Sequence, residues 1–148
     1  MHHLRLLEYG SCDYQEMIKL RDEILRKPLG LHFTEKYLQQ EINDVLIGCF
    51  ETDEENSRII GCCVLSPIDD ELIQLRQMAV REDLQRSGIG REILEFAEKE
   101  SLKNNFMTLM MHARYTAVPF YERNGYHILG DEFLEVGIPH YEMRKQLR

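Results

Sequence analysis

A chain of 148 residues, 43% of them hydrophobic, can bury one proper core and reads as a single domain over residues 1–148. A net charge of −8 and a pI near 5.2 argue against a nucleic-acid partner, and are consistent with a weak preference for cationic, amine-bearing substrates, though surface acidity usually serves solubility alone. No apolar run approaches the ~20 residues that span a membrane and no signal peptide is read at the start, so a cytoplasmic protein without a membrane partner is expected.

Residues 4–8 form a short first strand. Ser11 or Asp13 can cap a helix through Tyr14, Met17, Ile18, Leu20, Ile24 and Leu25, which Pro28 and Gly30 stop. Thr34 caps a second helical segment carrying Tyr37, Leu38 and Ile42. Residues 45–51 and 58–65 read as a hairpin across the polar tract 52–57, with Gly48 and Gly61 as bulge or close-approach points. The cysteines are Cys12, Cys49, Cys62 and Cys63; none has C-x-x-C spacing, so neither a metal site nor a disulfide is expected.

Residues 71–80 are the next strand. The apolar positions Ile89, Ile93, Leu94, Phe96, Ala97 and Leu102 then trace one face of a helix over 89–104. Residues 106–112 read as a buried strand and 118–124 as a short helix, with Pro119 in its first turn and Gly125 as its stop. Residues 126–129 and 140–146 are the last strands, joined by a connection over 130–139. The elements are those of an α/β (α+β) mixed sheet.

The most informative stretch is 80–91, a strand end and a loop that opens directly into a helix. Gly88 and Gly90 clear side chains from the backbone, the first helical N–H groups are unpaired, and Arg86 and Arg91 add positive charge. This pattern suits a pyrophosphate. A P-loop would need Lys–Ser/Thr after its last glycine, where Arg91–Glu92 stands. A dinucleotide fingerprint would need a third glycine in an early βαβ unit. The run Gln85, Arg86, Ser87, Gly88, Ile89, Gly90 fits Gln/Arg-x-x-Gly-x-Gly and resembles the acetyl-CoA loop of the GNAT superfamily of N-acetyltransferases.

A second block, Ala117, Val118, Pro119, Phe120, Tyr121, Glu122, Arg123, Asn124, Gly125, Tyr126, resembles the A-x-x-F-Y-x-x-x-G-F segment of the same family, with Tyr126 in place of Phe. The tail ending Gly137, Ile138, Pro139, His140 resembles the G-I-P-H ending of its ElaA-like branch. The resemblance implies the GNAT fold, with helices on both faces of one mixed sheet. It implies direct transfer of acetyl from acetyl-CoA to a primary amine: a small amine, a peptide N-terminus or a lysine. Met78, Ala79 and Val80 would present backbone N–H groups to the pantetheine and thioester, with residues 85–91 (Arg91 included) on the pyrophosphate. Tyr121 would be the general acid to the leaving thiolate. No metal is implied, and a homodimer is compatible with the reading.

The general base stays open. The family's usual Glu position falls near Gln74, which cannot take a proton. Glu71, His112 and His140 are the candidates, and a neutral amine would need none. Arg76 and Gln74 share one face of their strand, while Arg21 and Arg26 border the acceptor region. A non-catalytic acyl-CoA-binding sensor or scaffold of the same fold is the alternative. An unrelated nucleotide-binding protein would prefer ATP or NAD.

Overall fold

Strands β2 (Val45–Thr52) and β3 (Ser57–Pro67) are apolar almost without interruption, as expected of strands covered on both faces. The computed structural model describes residues 2–52 and 56–148; part of the expected hairpin turn lies outside them. Cys62 and Cys63 show how two cores arise from one strand. Side chains alternate across the sheet, so Ile59, Cys62 and Val64 meet one core while Ile60, Cys63 and Leu65 meet the other. The first core is closed by Tyr14, Met17 and Leu20 of helix α1 (Cys12–Arg21). The second is closed by Ile89, Ile93, Leu94 and Ala97 of helix α3 (Ile89–Lys103). Full burial of such a side chain contributes roughly 1.5–3 kcal/mol. At Gly61 the backbone lies close under α3: a Cβ there would stand 2.6 Å from Ile93 Cδ1, so the end of that buried side chain would have to shift.

The remaining strands are β1 (His2–Leu7), β4 (Leu72–Val80), β5 (Thr108–Arg114), β6 (His127–Ile128), β7 (Phe133–Glu135) and β8 (Ile138–Gln146). They form an eight-stranded mixed sheet in the order β1-β2-β3-β4-β5-β8-β6, with β7 also paired to β8. Only β4 and β5 run parallel, and their ladder is short, Leu72–Leu75 against Thr108–Met111. Beyond it β5 stays with β8, whereas β4 stays with β3, so the two strands part toward their C-terminal ends. The expected bulge on the hairpin is present where Cys49 faces Gly61 and Phe50 faces Ile59. A second lies on β4, where Gln77 has φ 55° and the register to β3 slips.

Ser11 is the cap that starts α1, accepting from the Tyr14 N–H at 3.1 Å. The chain continues as a π turn over Asp22–Arg26 and a 3-10 turn over Lys27–Leu29 before Gly30 (φ 71°) ends it. Helix α2 (Glu35–Gln39) is capped by Thr34 as expected. Between α1 and the end of α2 lies a fully buried ion pair. Arg21 donates to both Glu41 oxygens at 2.8 and 2.7 Å, and the Tyr14 hydroxyl donates to the same carboxylate at 2.7 Å. All four cysteines are free, with Cys49, Cys62 and Cys63 buried.

One departure from the expected elements bears on function. The connection 130–139 contains β7, which forms a tight hairpin with β8 in which Glu135 faces Ile138. The turn is Val136 (φ 46°) and Gly137 (φ 75°), the positive-φ pair of a two-residue hairpin loop. A β-branched residue at positive φ is an outlier, and it hides the turn from residue preferences. Helix α4 (Val118–Arg123) lines the cleft through Pro119, Phe120, Tyr121 and Arg123.

Candidate active site

The parting of β4 from β5 opens a cleft of ≈ 1760 Å³, walled by Met78, Ala79 and Val80 on one side and by Met111, His112 and Ala113 on the other. At one end lie Gln85, Arg86, Gly88, Gly90 and Arg91, so these expected donor-site residues come together. Two do not face the cleft with their side chains. Ile89 is buried in the core against α3, and the Ser87 hydroxyl donates to the Leu84 carbonyl. For both, only the backbone is left to serve a ligand.

Helix α3 starts at Gly88 (φ 91°) with no side-chain cap, and its first bond runs from the Glu92 N–H to the Gly88 carbonyl at 3.2 Å. The N–H groups before Glu92 therefore face outward with the positive end of the helix dipole behind them. Arg86 also holds a left-handed conformation (φ 67°), and the Gln85 side chain donates to the Val80 carbonyl at 3.1 Å, tying the loop to the strand. This geometry fits a pyrophosphate. Among the described residues, no cluster of His, Cys, Asp and Glu could hold a metal ion.

Tyr121 lies in the cleft wall, 6% exposed, edge-on to Phe120 and Tyr126. Its hydroxyl has no hydrogen-bond partner among the described residues, unlike those of Tyr14 and Tyr126. Burial, reinforced by Cys63, pushes its pKa well above that of a free phenol. The hydroxyl is thus a neutral donor left without a partner among the described residues.

The base candidates separate clearly. Glu71 sits at the end of β4 that still pairs with β5, exposed and outside the cleft, and Gln74 lines the cleft without a titratable group. His112 and His140 both line it. Glu135, on the unexpected β7, stands between them, with Oε1 at 3.0 Å from His112 Nδ1 and Oε2 at 3.6 Å from His140 Nε2. A carboxylate only accepts, so Nδ1 of His112 is the donor in this pair, and Nε2 meets no hydrogen-bond partner among the described residues. His140 Nδ1 instead donates to the Ile138 carbonyl at 2.7 Å, within the turn of the hairpin. Phe133 packs edge-on to His112 and flat against His140, fixing both rings.

The sequence model of the acetyltransferase (GNAT) domain matches residues 31–147. The chain belongs to the GNAT family. An uncharacterized N-acetyltransferase of Bacillus subtilis, YjcF, is 34% identical over 73 residues, 49% of this chain and 52% of that protein. The matched stretch thus spans about half the length of that relative. In three dimensions the GNAT domain superposes on ElaA of Escherichia coli with TM-score 0.81 at 15% identity, covering 99% of this chain and 100% of the other. It superposes on an aminoglycoside 6'-N-acetyltransferase complexed with coenzyme A with TM-score 0.78 at 13% identity, covering 99% and 97%. At these identities the likeness is one of fold.

On this GNAT scaffold Arg26, Arg76 and Arg114 also reach the cleft, which Ile24, Leu25 and Tyr37 line as well. Arg26 and Arg76 had no assignable role from residue type, and Arg114 carried no signal at all. Glu135 carries no sequence signal of its own, because its three-residue strand turns through Val136, a residue type that hides the turn. Arg21, expected at the acceptor border, is instead fully buried in its pair with Glu41.

Proposed function

We propose that this protein is an acetyl-CoA-dependent N-acetyltransferase that passes the acetyl group directly to a primary amine bound in the same cleft. One arrangement carries the reading: a cleft between parted parallel strands, ending at an uncapped glycine-bearing helix N-terminus, with an unpartnered tyrosine hydroxyl in its wall. The coenzyme A complex of a fold neighbour supports the choice of donor. Residues 85–91 bind the pyrophosphate through backbone N–H groups, aided by the charges of Arg86 and Arg91. The edge of β4 at Met78, Ala79 and Val80 orients the pantetheine and thioester.

Orientation supplies much of the acceleration in such a ternary complex. His112 Nε2 takes a proton from the substrate ammonium while Glu135 holds the ring in the required tautomer. The free amine then attacks the thioester carbonyl carbon, forming the C–N bond, and the C–S bond breaks. Tyr121 gives its proton to the departing sulfur, and the proton lost by the amine nitrogen restores the phenol through solvent. The products are an N-acetylated amine, coenzyme A as its thiol and one proton, which balances an ammonium substrate.

Calorimetric titration of acetyl-CoA, with ATP and NADH as controls, tests the donor. Thiol release on adding amines tests turnover. Binding of acetyl-CoA alone, followed by amine-dependent release, is the expected outcome. Binding without release by any amine would leave an acyl-CoA sensor, and the absence of binding at high micromolar concentration would remove the reading.

A further inference from the structure

Arg148, outside the cleft, donates to the Leu102 carbonyl; the other arginines of the chain fall into two groups by partner. Arg5, Arg21, Arg58, Arg81, Arg91 and Arg144 each meet a carboxylate within hydrogen-bonding or ion-pair distance. Arg26, Arg76, Arg86, Arg114 and Arg123 meet none among the described residues, and all of them line the cleft. In a chain of net charge −8, carrying 26 acidic residues, this gathering of guanidinium groups with no carboxylate in contact points to an anion. Arg86 lies in the glycine loop assigned to the donor phosphates, and Arg123 ends α4, whose Phe120 borders that loop at Gly90. The other three remain without a task.

Those three converge from separate elements. Arg26 comes from the π turn after α1, Arg76 from the start of the bulge on β4, and Arg114 from the end of β5. Arg26 and Arg76 each lie 5.6 Å from the Tyr37 ring centre. Arg76 also donates to the Tyr37 hydroxyl, while Arg114 donates to the Leu25 carbonyl at 3.3 Å. All three are half-buried, and each fork offers five N–H donors of which the protein uses few. The carboxylates in reach are already engaged: Glu135 by His112 and His140, and Asp44 by the Ser66 hydroxyl at 2.8 Å. Burial and then the nearby Arg26 charge press Arg114 toward its neutral form, opposed only in part by Glu135, and a bound anion would offset what is left.

We infer that Arg26, Arg76 and Arg114 form an anion-binding acceptor subsite, so the acetylated amine carries a carboxylate or phosphate group at its other end. This rests on the N-acetyltransferase reading and narrows it. The acidic surface would suggest cationic acceptors; the cleft carries the opposite local charge and excludes polyamines in particular, whose second ammonium would meet three guanidinium groups. Arg is suited to the task because its planar fork matches carboxylate and phosphate oxygens two at a time.

The test separates donor, acceptor and fold. Wild-type protein saturated with coenzyme A, which fills the donor phosphate positions, is titrated with glutarate and with inorganic phosphate. At least one anion is expected to bind, and Arg76→Gln and Arg114→Gln are each expected to weaken it about tenfold while changing coenzyme A affinity less than about twofold. The stronger binder of the two tells carboxylate from phosphate. In parallel, thiol release is compared for O-phosphoethanolamine, γ-aminobutyrate, ethanolamine and putrescine, with the acidic amines expected to lead in kcat/KM by at least about tenfold. Absence of anion binding by the coenzyme A complex, faster turnover of ethanolamine or putrescine, or loss of coenzyme A affinity in the arginine variants would each overturn the proposal. If coenzyme A does not bind at all, the enzyme reading fails instead, and the same anion titrations on the free protein still decide the arginine cluster.

Discussion

Glu135 Oε1 lies 3.0 Å from His112 Nδ1, joining the short strand β7 to the cleft-lining end of β5. The pairing puts a carboxylate behind an imidazole whose other nitrogen is free, the arrangement by which a histidine is held ready to take a proton. His112→Gln is therefore expected to lower kcat about 100-fold, with acetyl-CoA affinity unchanged. Glu135→Gln keeps a polar partner and removes only the charge, so a smaller loss of about tenfold is expected. Steady-state kinetics at saturating donor and acceptor decides it. An unchanged kcat in His112→Gln would show that the amine loses its proton elsewhere.

Tyr121 has a different signature. Burial keeps its phenol neutral above the range of a free tyrosine, so it stays a competent acid throughout the neutral and mildly alkaline range. Tyr121→Phe is expected to cost about 10- to 100-fold in kcat and to leave the acetyl-CoA Kd within about twofold. In the wild-type protein kcat is expected not to fall between about pH 8 and pH 9.5 through loss of this proton. Wild-type kcat from the Phe variant would remove Tyr121 from the chemistry.

The same buried groups set the alkaline limit of stability. Burial raises the pKa of Tyr14, Tyr121 and Tyr126, and pushes the thiols of Cys49 up to about 11 and Cys62 up to about 12. The unfolded chain loses these protons first, cysteines near pH 8.5 and tyrosines near pH 10. Between the unfolded and folded values the native state binds more protons, so stability falls as pH rises. Urea midpoints are expected to hold to about pH 8 and then drop, most steeply above about pH 10, by up to about 1.4 kcal/mol per pH unit for each group. A midpoint unchanged from pH 8 to pH 11 would contradict the buried, neutral state of these side chains.

Arg21 and Glu41 test how the segment carrying Tyr37 is held against α1. Neither is exposed, and the pair links α1 to the segment after α2, near Tyr37. Removing one partner leaves an uncompensated buried charge, so Arg21→Met is expected to cost about 3–5 kcal/mol in urea denaturation. Arg21→Met combined with Glu41→Leu removes both charges and is expected to recover most of that loss. A double variant as unstable as the single one would mean that the pair is held by packing rather than by charge.

The parts of the molecule that the sequence disclosed are those set by local rules. Ser11 and Thr34 cap helices because their hydroxyls reach the N–H three residues on. Helix α3 follows from its apolar spacing, and the loop before it from Gly88 and Gly90. What stayed hidden was set by tertiary contact. Glu135 belongs to a strand of only three residues, turned by a valine that residue preferences would place in a strand interior. The parting of β4 from β5 reflects which neighbour each strand keeps, and no single strand encodes that. Arg26, Arg76 and Arg114 lie far apart in the chain and acquire a common meaning only when the cleft brings them together.

Gly88 and Gly90 make opposite predictions, although they are two residues apart. Gly88 sits at φ 91° with open space around its Cα, so Gly88→Ala strains the backbone without crowding anything. It is expected to cost about 1 kcal/mol of stability. Gly90 carries no such φ, and a Cβ there would meet Phe120 Cζ at an ordinary 3.4 Å. The folded protein therefore tolerates a side chain at position 90, and valine is a better helix former than glycine. Its branches would occupy the space where the backbone cradle meets a pyrophosphate. Gly90→Val is expected to keep its urea midpoint within about 1 kcal/mol of wild type and to raise the acetyl-CoA Kd at least about tenfold. Undiminished affinity in a folded Gly90→Val protein would move the pyrophosphate away from this loop.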